Sequence, residues 1–452
     1  MKAITIIGAG LAGTLLGLYL AKRGYPIQII VSRPDSRLSP PDKGRSINLA
    51  LSCRGLTGLS GAGLLEEVRA LAVPMRGRAI HQEDNTIIYQ PFGRDENEYI
   101  NAIERQELNE LLLNQLEKEQ QVSITFDMQL TTVDVYKKTL YLTPTSGGDT
   151  RPSTYHYLIG ADGANSAVRA ALRGQALISS AREFLSHGYK ELSISSAHAD
   201  ALAREQLHLW PREGCLLLGN PNRNHSITGS LFLANKGELS FESLNNEAQI
   251  THFFKTTFPD AFMLMPDVVA EFLHNPIGNM STIKAEPWLV ADNCLLIGDS
   301  AHGIVPFFGQ GMNCAFEDCR ILDTLLTQYD DDWSKAMPAF YEARHVNTDA
   351  VAELSMDNYH EIQQGIRYEV VNLKKQLERE LMHRYRDRYI SKHVLVMFTN
   401  TPYAVAQACG ELQTELLNKI CATIKGIDDV SWDSVDKLML DYDKKLAEIP
   451  SF

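Results

Sequence analysis

A chain of 452 residues can form several packed layers, and 44 % hydrophobic with 22 % charged residues is the composition of an ordinary globular protein. The formal net charge of −13 excludes broad nucleic-acid binding, which needs a basic face, but leaves room for a local patch that receives an anion. Seven scattered cysteines without a C-x-x-C pair argue against a disulfide framework or a metal site, and fit a reducing cytoplasm.

The opening MKAITIIGAG carries a lysine and an apolar run. The run is too short for a signal peptide and breaks straight into glycines, so it reads as a buried strand. No stretch approaches the roughly 18 apolar residues of a transmembrane segment. Ala3 to Ile7 is apolar and β-branched, Leu11 to Lys22 carries helix periodicity ended by Gly24, and Ile27 to Val31 is a second buried strand. Together they form one βαβ unit. Arg105 to Gln120 reads as a helix, Val122 to Leu142 alternates like strands, and Thr143 to Ser153 is a polar turn. Tyr155 to Ile159 is another buried strand. From His187 to Leu233 strand follows strand with little sign of long helices, which predicts an antiparallel sheet. Cys294 to Ile297 returns to a short buried strand, with a helix after it through Leu326. Helical periodicity dominates from Trp333 onward, with Pro402 and Gly410 as breaks. The expected fold class is α/β. It has a Rossmann-like dinucleotide-binding domain (1–70, 100–180, 285–330), an inserted antiparallel-sheet substrate domain (71–99, 181–284) and a helical C-terminal part (331–452).

Gly8-Ala9-Gly10-Leu11-Ala12-Gly13 is G-x-G-x-x-G after a strand and opening a helix. Its glycines permit the tight turn, the approach of backbone to a pyrophosphate and the packing of helix on strand. The helix N-terminus offers free N–H groups and a positive dipole end. The acid that usually closes the second strand is missing: the strand ends Val31-Ser32-Arg33, with no acid before Asp35, so Ser32 or Arg33 takes over a ribose or phosphate contact. Gly160-Ala161-Asp162-Gly163 makes either a polar corner beside the first motif or a plain turn with Asp162 near an N-cap. Gly298-Asp299-Ser300-Ala301-His302 and the loop into Gly311-Met312-Asn313 suit binding of polyol hydroxyls by Asp299, and a helix N-terminus facing the anionic edge of a reduced flavin. Alternatively this is a capped strand-to-helix loop. His302 tempts an acid/base assignment, but a lone loop histidine is more often structural.

The three motifs in this order resemble the flavoprotein aromatic hydroxylases, single-component FAD monooxygenases of the para-hydroxybenzoate hydroxylase fold. The strings Pro74-Met75-Arg76-Gly77-Arg78, His187-Gly188-Tyr189, Leu207 to Arg212, Gly44 to Ser52 and Ile304 to Asn313 are similar to the kynurenine-hydroxylating branch of that family. The resemblance implies FAD as cofactor, held by Gly8, Gly10, Ala12, Gly13, Val31, Ser32, Arg33, Ala50, Arg105, Leu130, Asp162, Asp299, Gly311, Met312 and Asn313. It implies NADPH and O₂ as co-substrates, and a flavin C4a-hydroperoxide that hydroxylates L-kynurenine to 3-hydroxykynurenine. Arg78, Asn358 and Tyr403 match partners of the substrate carboxylate. The position of a fourth partner, a tyrosine in the family, is Phe92, whose missing hydroxyl raises a related aromatic amino acid or anthranilate-like ring as an alternative substrate. Phe307 and Phe308 are candidates for a dry pocket wall, or plain core residues. No residue is assigned as acid/base. The family's eukaryotic members carry a C-terminal membrane helix, whereas this C-terminus reads as polar, charged helices. A flavin halogenase would need W-x-W-x-x-P, which is absent, and a non-catalytic flavin-binding sensor is the reading from another class. The oligomeric state is open between monomer and homodimer.

Overall fold

The computed structural model describes residues 2–38, 48–363 and 368–450. Gly44 to Ile47, the start of one family string, therefore lie outside the described residues. Three strands that read as buried in the sequence, Ile4–Ile7, Tyr157–Gly160 and Cys294–Leu296, lie side by side and parallel. With Ile27–Ile30, Val122–Thr125 and the antiparallel edge Leu289–Val290 they form a six-stranded sheet. Ile4, Ile6, Ile29, Leu158 and Leu295 are fully buried, as strands covered on both faces require.

The antiparallel region is a seven-stranded sheet in the spatial order Gly278–Glu286, Ser179–Ile194, Ile227–Ala234, Cys215–Pro221, Gln206–Arg212, Gly77–His81, Ile87–Pro91. A single parallel pairing, between Gln206–Arg212 and Gly77–His81, brings the Arg78 strand into it. Three short helices, Glu247–Thr257, Pro259–Leu264 and Val268–His274, which the strand-after-strand reading did not extend to, pack phenylalanines such as Phe254, Phe258 and Phe272 beneath this sheet. Three further strands, Asn48–Leu51, Val73–Met75 and Ile100–Glu104, tie the two regions together.

Two expectations are corrected. The polar segment 143–153 is not all turn, because Arg151–Thr154 pairs antiparallel with the strand Thr139–Pro144: a polar strand on an open edge needs no apolar signal. Gly410 does not break a helix; it lies inside Tyr403–Cys421, where a Cβ would come within 2.4 Å of Lys392 Cδ. That glycine serves close packing of the helix Lys392–Phe398 against its neighbour. Pro402 does end a segment, standing at the N-cap of Tyr403–Cys421.

Candidate active site

All three glycine-containing motifs follow the carboxyl ends of adjacent parallel strands, the crevice where open α/β sheets hold ligands. The Gly8 turn has φ +108°, and a Cβ there would lie 2.5 Å from the Ala161 carbonyl oxygen. A Cβ on Gly13 would lie 2.0 Å from the Gly8 carbonyl oxygen, so strand, turn and helix close only with glycine at both places. At Gly10, by contrast, a Cβ would meet nothing within 4 Å: the space beside that backbone is open. The helix Leu11–Lys22 that starts there has no side-chain cap and no acid in its first turn. The same holds of Gly311–Gln328, so two helix N-termini keep their N–H groups for a ligand. These features fit a dinucleotide such as FAD.

Asp162 and Asp299 differ in what they do. The Asp162 carboxylate accepts from the backbone N–H of Ala167 (2.6 Å) and Val168 (3.2 Å), and from the Ser300 hydroxyl (3.2 Å). The capping role considered for it is realised, and burial pushes its pKa up. Ser300 in turn accepts from Gly163 N–H, and Arg169 donates to the Ala164 and Ser300 carbonyls, so the second and third motifs are stitched into one corner. Asp299, next to them, is exposed. Among the other cofactor candidates, Arg105 is exposed at the first turn of its helix, with its charge near the Tyr189 hydroxyl. Val31 and Leu130 are buried, so each offers backbone alone, while Ser32 and Arg33 are exposed. Asp35, the first acid after the second strand, is engaged by Arg37 at 2.6 Å and does not replace the missing acid. Asn313 is fully buried: it donates to the Ala50 and Gly309 carbonyls and accepts from Ser52 N–H. It is a strut between the Gly309 loop and the strand Asn48–Leu51, beside the uncapped first turn that holds Gly311 and Met312.

His302 is structural. Its Nε2 lies 2.6 Å from Asp318, and its ring packs on Trp288 at 4.8 Å. Burial pulls its pKa down, but Asp318 outweighs that and raises it to about 10. Asp318 also accepts from Arg344 (2.7 Å), which reaches Glu317 (2.6 Å), and Glu317 accepts from Arg54 (2.8 Å). His302, Cys314 and Asp318 place their polar atoms within 4.8 Å of one another, but Arg344 already donates to Asp318 and to the Cys314 sulfur. This buried network was not legible in the sequence beyond the Glu317-Asp318 pair in an otherwise apolar helix face.

Three of the substrate candidates, Arg78, Phe92 and Tyr403, gather beside this network. Phe92, Phe308, Tyr403, Met75 and Met397 share one buried cluster, against which Ala50 packs. Arg78 stands at its edge with its guanidinium 4.6 Å from the centre of the Phe92 ring. Among the described residues it has no carboxylate within ion-pair distance; its nearest polar partner is Gln90, at 3.5 Å. Burial, and then the charge of Arg379, pull its pKa down to about 10. Tyr403 is fully buried, with its hydroxyl donating to Gln310 (2.9 Å) and Arg54 stacked 3.8 Å from its ring centre. Its donor is therefore already engaged. Asn358 is half-buried in the helix Trp333–Gln363, one residue before Tyr359. A run of aromatic rings missed as a unit in the sequence extends from Tyr189 to Phe232 (6.0 Å), Phe307 (5.2 Å) and Tyr359 (5.0 Å). Tyr189 and Phe232 are direct cross-strand partners, which only the register shows.

Comparison with known proteins agrees with this geometry. A family model described as an FAD binding domain matches residues 1–344. Kynurenine 3-monooxygenase of Legionella pneumophila (strain Corby) is 60 % identical over 449 residues, covering 99 % of this chain and 100 % of its own. The chain belongs to the kynurenine 3-monooxygenase family. The enzyme of that name from Myxococcus xanthus is 39 % identical over 94 % of this chain and 92 % of its own. That from Dictyostelium discoideum is 36 % identical, covering 97 % of each. Among solved structures, a tetrameric 2-methyl-3-hydroxypyridine-5-carboxylic acid oxygenase superposes with a TM-score of 0.65 at 18 % identity, covering 83 % of this chain and 95 % of that one. PqsL of P. aeruginosa in complex with 2-aminobenzoylacetate gives 0.64 at 18 %, covering 81 % and 98 %. These two share the fold. Among the described residues, no helix is long and apolar enough to cross a membrane.

Proposed function

We propose that this chain is an FAD-dependent, NADPH-using monooxygenase that hydroxylates L-kynurenine to 3-hydroxykynurenine. The observation that carries the reading is Arg78: a half-buried guanidinium with no carboxylate partner among the described residues, beside a buried cluster that includes Phe92, Phe308 and Tyr403, in a chain 60 % identical to a kynurenine 3-monooxygenase. The carboxylate of an amino acid offsets the partial desolvation of such a cation with a charge-assisted contact.

FAD would be held by the Gly8 turn, the backbone at Gly311 and Met312, and Asp299, and when bound it supplies the electrons from NADPH that activate O₂. The chain's own task is placement and dryness. Arg78 anchors the substrate's polar end, with Asn358 as a second contact. Phe307, Phe232 and Tyr359 form a wall that excludes water. The amino group of the aromatic ring already activates the position beside it, so no residue needs to act as a strong base. Gln310 holds the Tyr403 hydroxyl, and with it this ring of the buried cluster, in place.

The test is NADPH oxidation by the FAD-loaded protein with and without L-kynurenine. Stimulation by kynurenine, with product 16 mass units heavier, is expected. Oxidation that yields only hydrogen peroxide defeats the substrate assignment.

A further inference from the structure

The helix Lys392–Phe398 places His393 against Phe92, the ring that also carries the Arg78 guanidinium. The His393 and Phe92 rings are nearly parallel, 18° apart with centroids at 6.0 Å. Phe92 is also the ring on which the Arg78 guanidinium rests, so one side chain fixes both polar groups. His393 Nε2 is buried and has no hydrogen-bond partner among the described residues. Buried polar atoms almost always have one, and an exception calls for a missing partner. Arg78 and His393 are both half-buried, so each keeps some accessible surface beside Phe92.

Among the described residues, the charged groups acting on the imidazole share one sign: Arg78 from the strand Gly77–His81, Lys375 from the helix Tyr368–Tyr385 and Lys392 from its own helix. Burial and these cations keep the ring neutral. A neutral imidazole still carries one N–H, and the tautomer protonated on Nε2 can donate it. The species that fits such a place is an anion with two oxygens, one for Arg78 and one for this N–H.

We infer that His393 is a further binding residue for the substrate carboxylate, donating from Nε2 where Phe92 lacks the hydroxyl to do so. The inference rests on the kynurenine reading above and adds to it a specificity residue from the C-terminal helices.

The test is titration of the FAD-loaded protein with L-kynurenine and with its decarboxylated amine, followed by flavin absorbance. His393→Phe keeps a ring but removes the donor, and His393→Gln keeps a donor near Nε2. The Phe variant is expected to bind kynurenine about tenfold more weakly, in the range of one hydrogen bond to a charged group. The Gln variant stays within about threefold of wild type, and the decarboxylated amine binds the wild type and the Phe variant alike. Adding Phe92→Tyr to the Phe variant restores most of the loss. Unchanged kynurenine affinity in the Phe variant overturns the inference while leaving the functional reading intact. So does an equal loss for both ligands, which would place His393 on the amine. If the wild type itself does not bind kynurenine, the functional reading falls and the inference with it. If the Phe variant fails to hold FAD, the ¹⁵N resonance of His393 Nε2 in the wild type decides: it shifts when kynurenine is added, and an unmoved resonance overturns the inference.

Discussion

Replacing Arg344 by methionine removes the centre of the buried charge network while keeping much of the side chain's volume. Arg344 is 1 % exposed, and it donates to Glu317 at 2.6 Å, Asp318 at 2.7 Å and the Cys314 carbonyl at 3.3 Å. Without it Glu317 keeps Arg54 and the more distant Arg320, and Asp318 keeps His302, so each carboxylate loses one cation and retains at least one. Removing one partner from a buried ion pair costs about 3–5 kcal/mol, and the remaining cations set the expectation toward the lower end. The pH dependence adds a second check. Burial raises the Glu317 and Asp318 pKa values, but the surrounding cations outweigh it and hold both below the usual carboxylate range. Depressed carboxylate pKa values stabilise the fold above the unfolded value, roughly pH 4, and that stabilisation is lost as pH falls through the folded value. In the variant the depression is smaller or reversed. The deficit is therefore greatest above about pH 5 and narrows as pH falls through about 4, where the carboxyls take up protons. Urea unfolding of the FAD-loaded protein at about pH 7 and near pH 4 measures this. A deficit below about 1 kcal/mol at pH 7, or one that does not change with pH, would refute the reasoning.

Arg78→Ala should leave FAD content unchanged and weaken kynurenine binding by about thirtyfold or more, as loss of a buried charge-assisted contact does; unchanged affinity in a titration would remove Arg78 from the site. Gly13→Ala forces a Cβ to within 2.0 Å of the Gly8 carbonyl oxygen, so the purified protein should carry little or no flavin by absorbance. Gly410→Ala meets the flexible Lys392 side chain, and the gain in helix propensity of about 1 kcal/mol offsets most of the contact; the melting temperature should move by no more than a few degrees. For His302, the raised folded pKa stabilises the fold fully below its unfolded value near 6.5, and that stabilisation fades as pH rises toward 10. His302→Gln should therefore lose most stability relative to wild type at pH 6 and less at pH 9, measured by urea unfolding.

What was legible in the sequence is local. Ile4 to Ile7 could be read as a buried strand because both faces are apolar, and the Gly8 turn because no other residue type closes it. Arg78 and Phe92 became candidates only through resemblance, since nothing in their own neighbourhood marks an arginine as unpaired. The polar strand Arg151–Thr154 escaped because an edge strand carries no alternation. Gly410 was misread because a glycine that breaks a helix and one that admits a neighbouring lysine are written the same way. The run from Tyr189 through Phe232 and Phe307 to Tyr359 joins residues more than a hundred positions apart, and strand register decides which rings meet. His393 escaped for the same reason: its meaning lies in a Phe92 ring from another part of the chain.

The most direct test of the account is turnover under ¹⁸O₂. FAD-loaded protein given NADPH and L-kynurenine should yield 3-hydroxykynurenine carrying one heavy oxygen atom, with NADPH consumed in proportion. Product without the label, or NADPH consumption with hydrogen peroxide as the sole oxygen product, would contradict it.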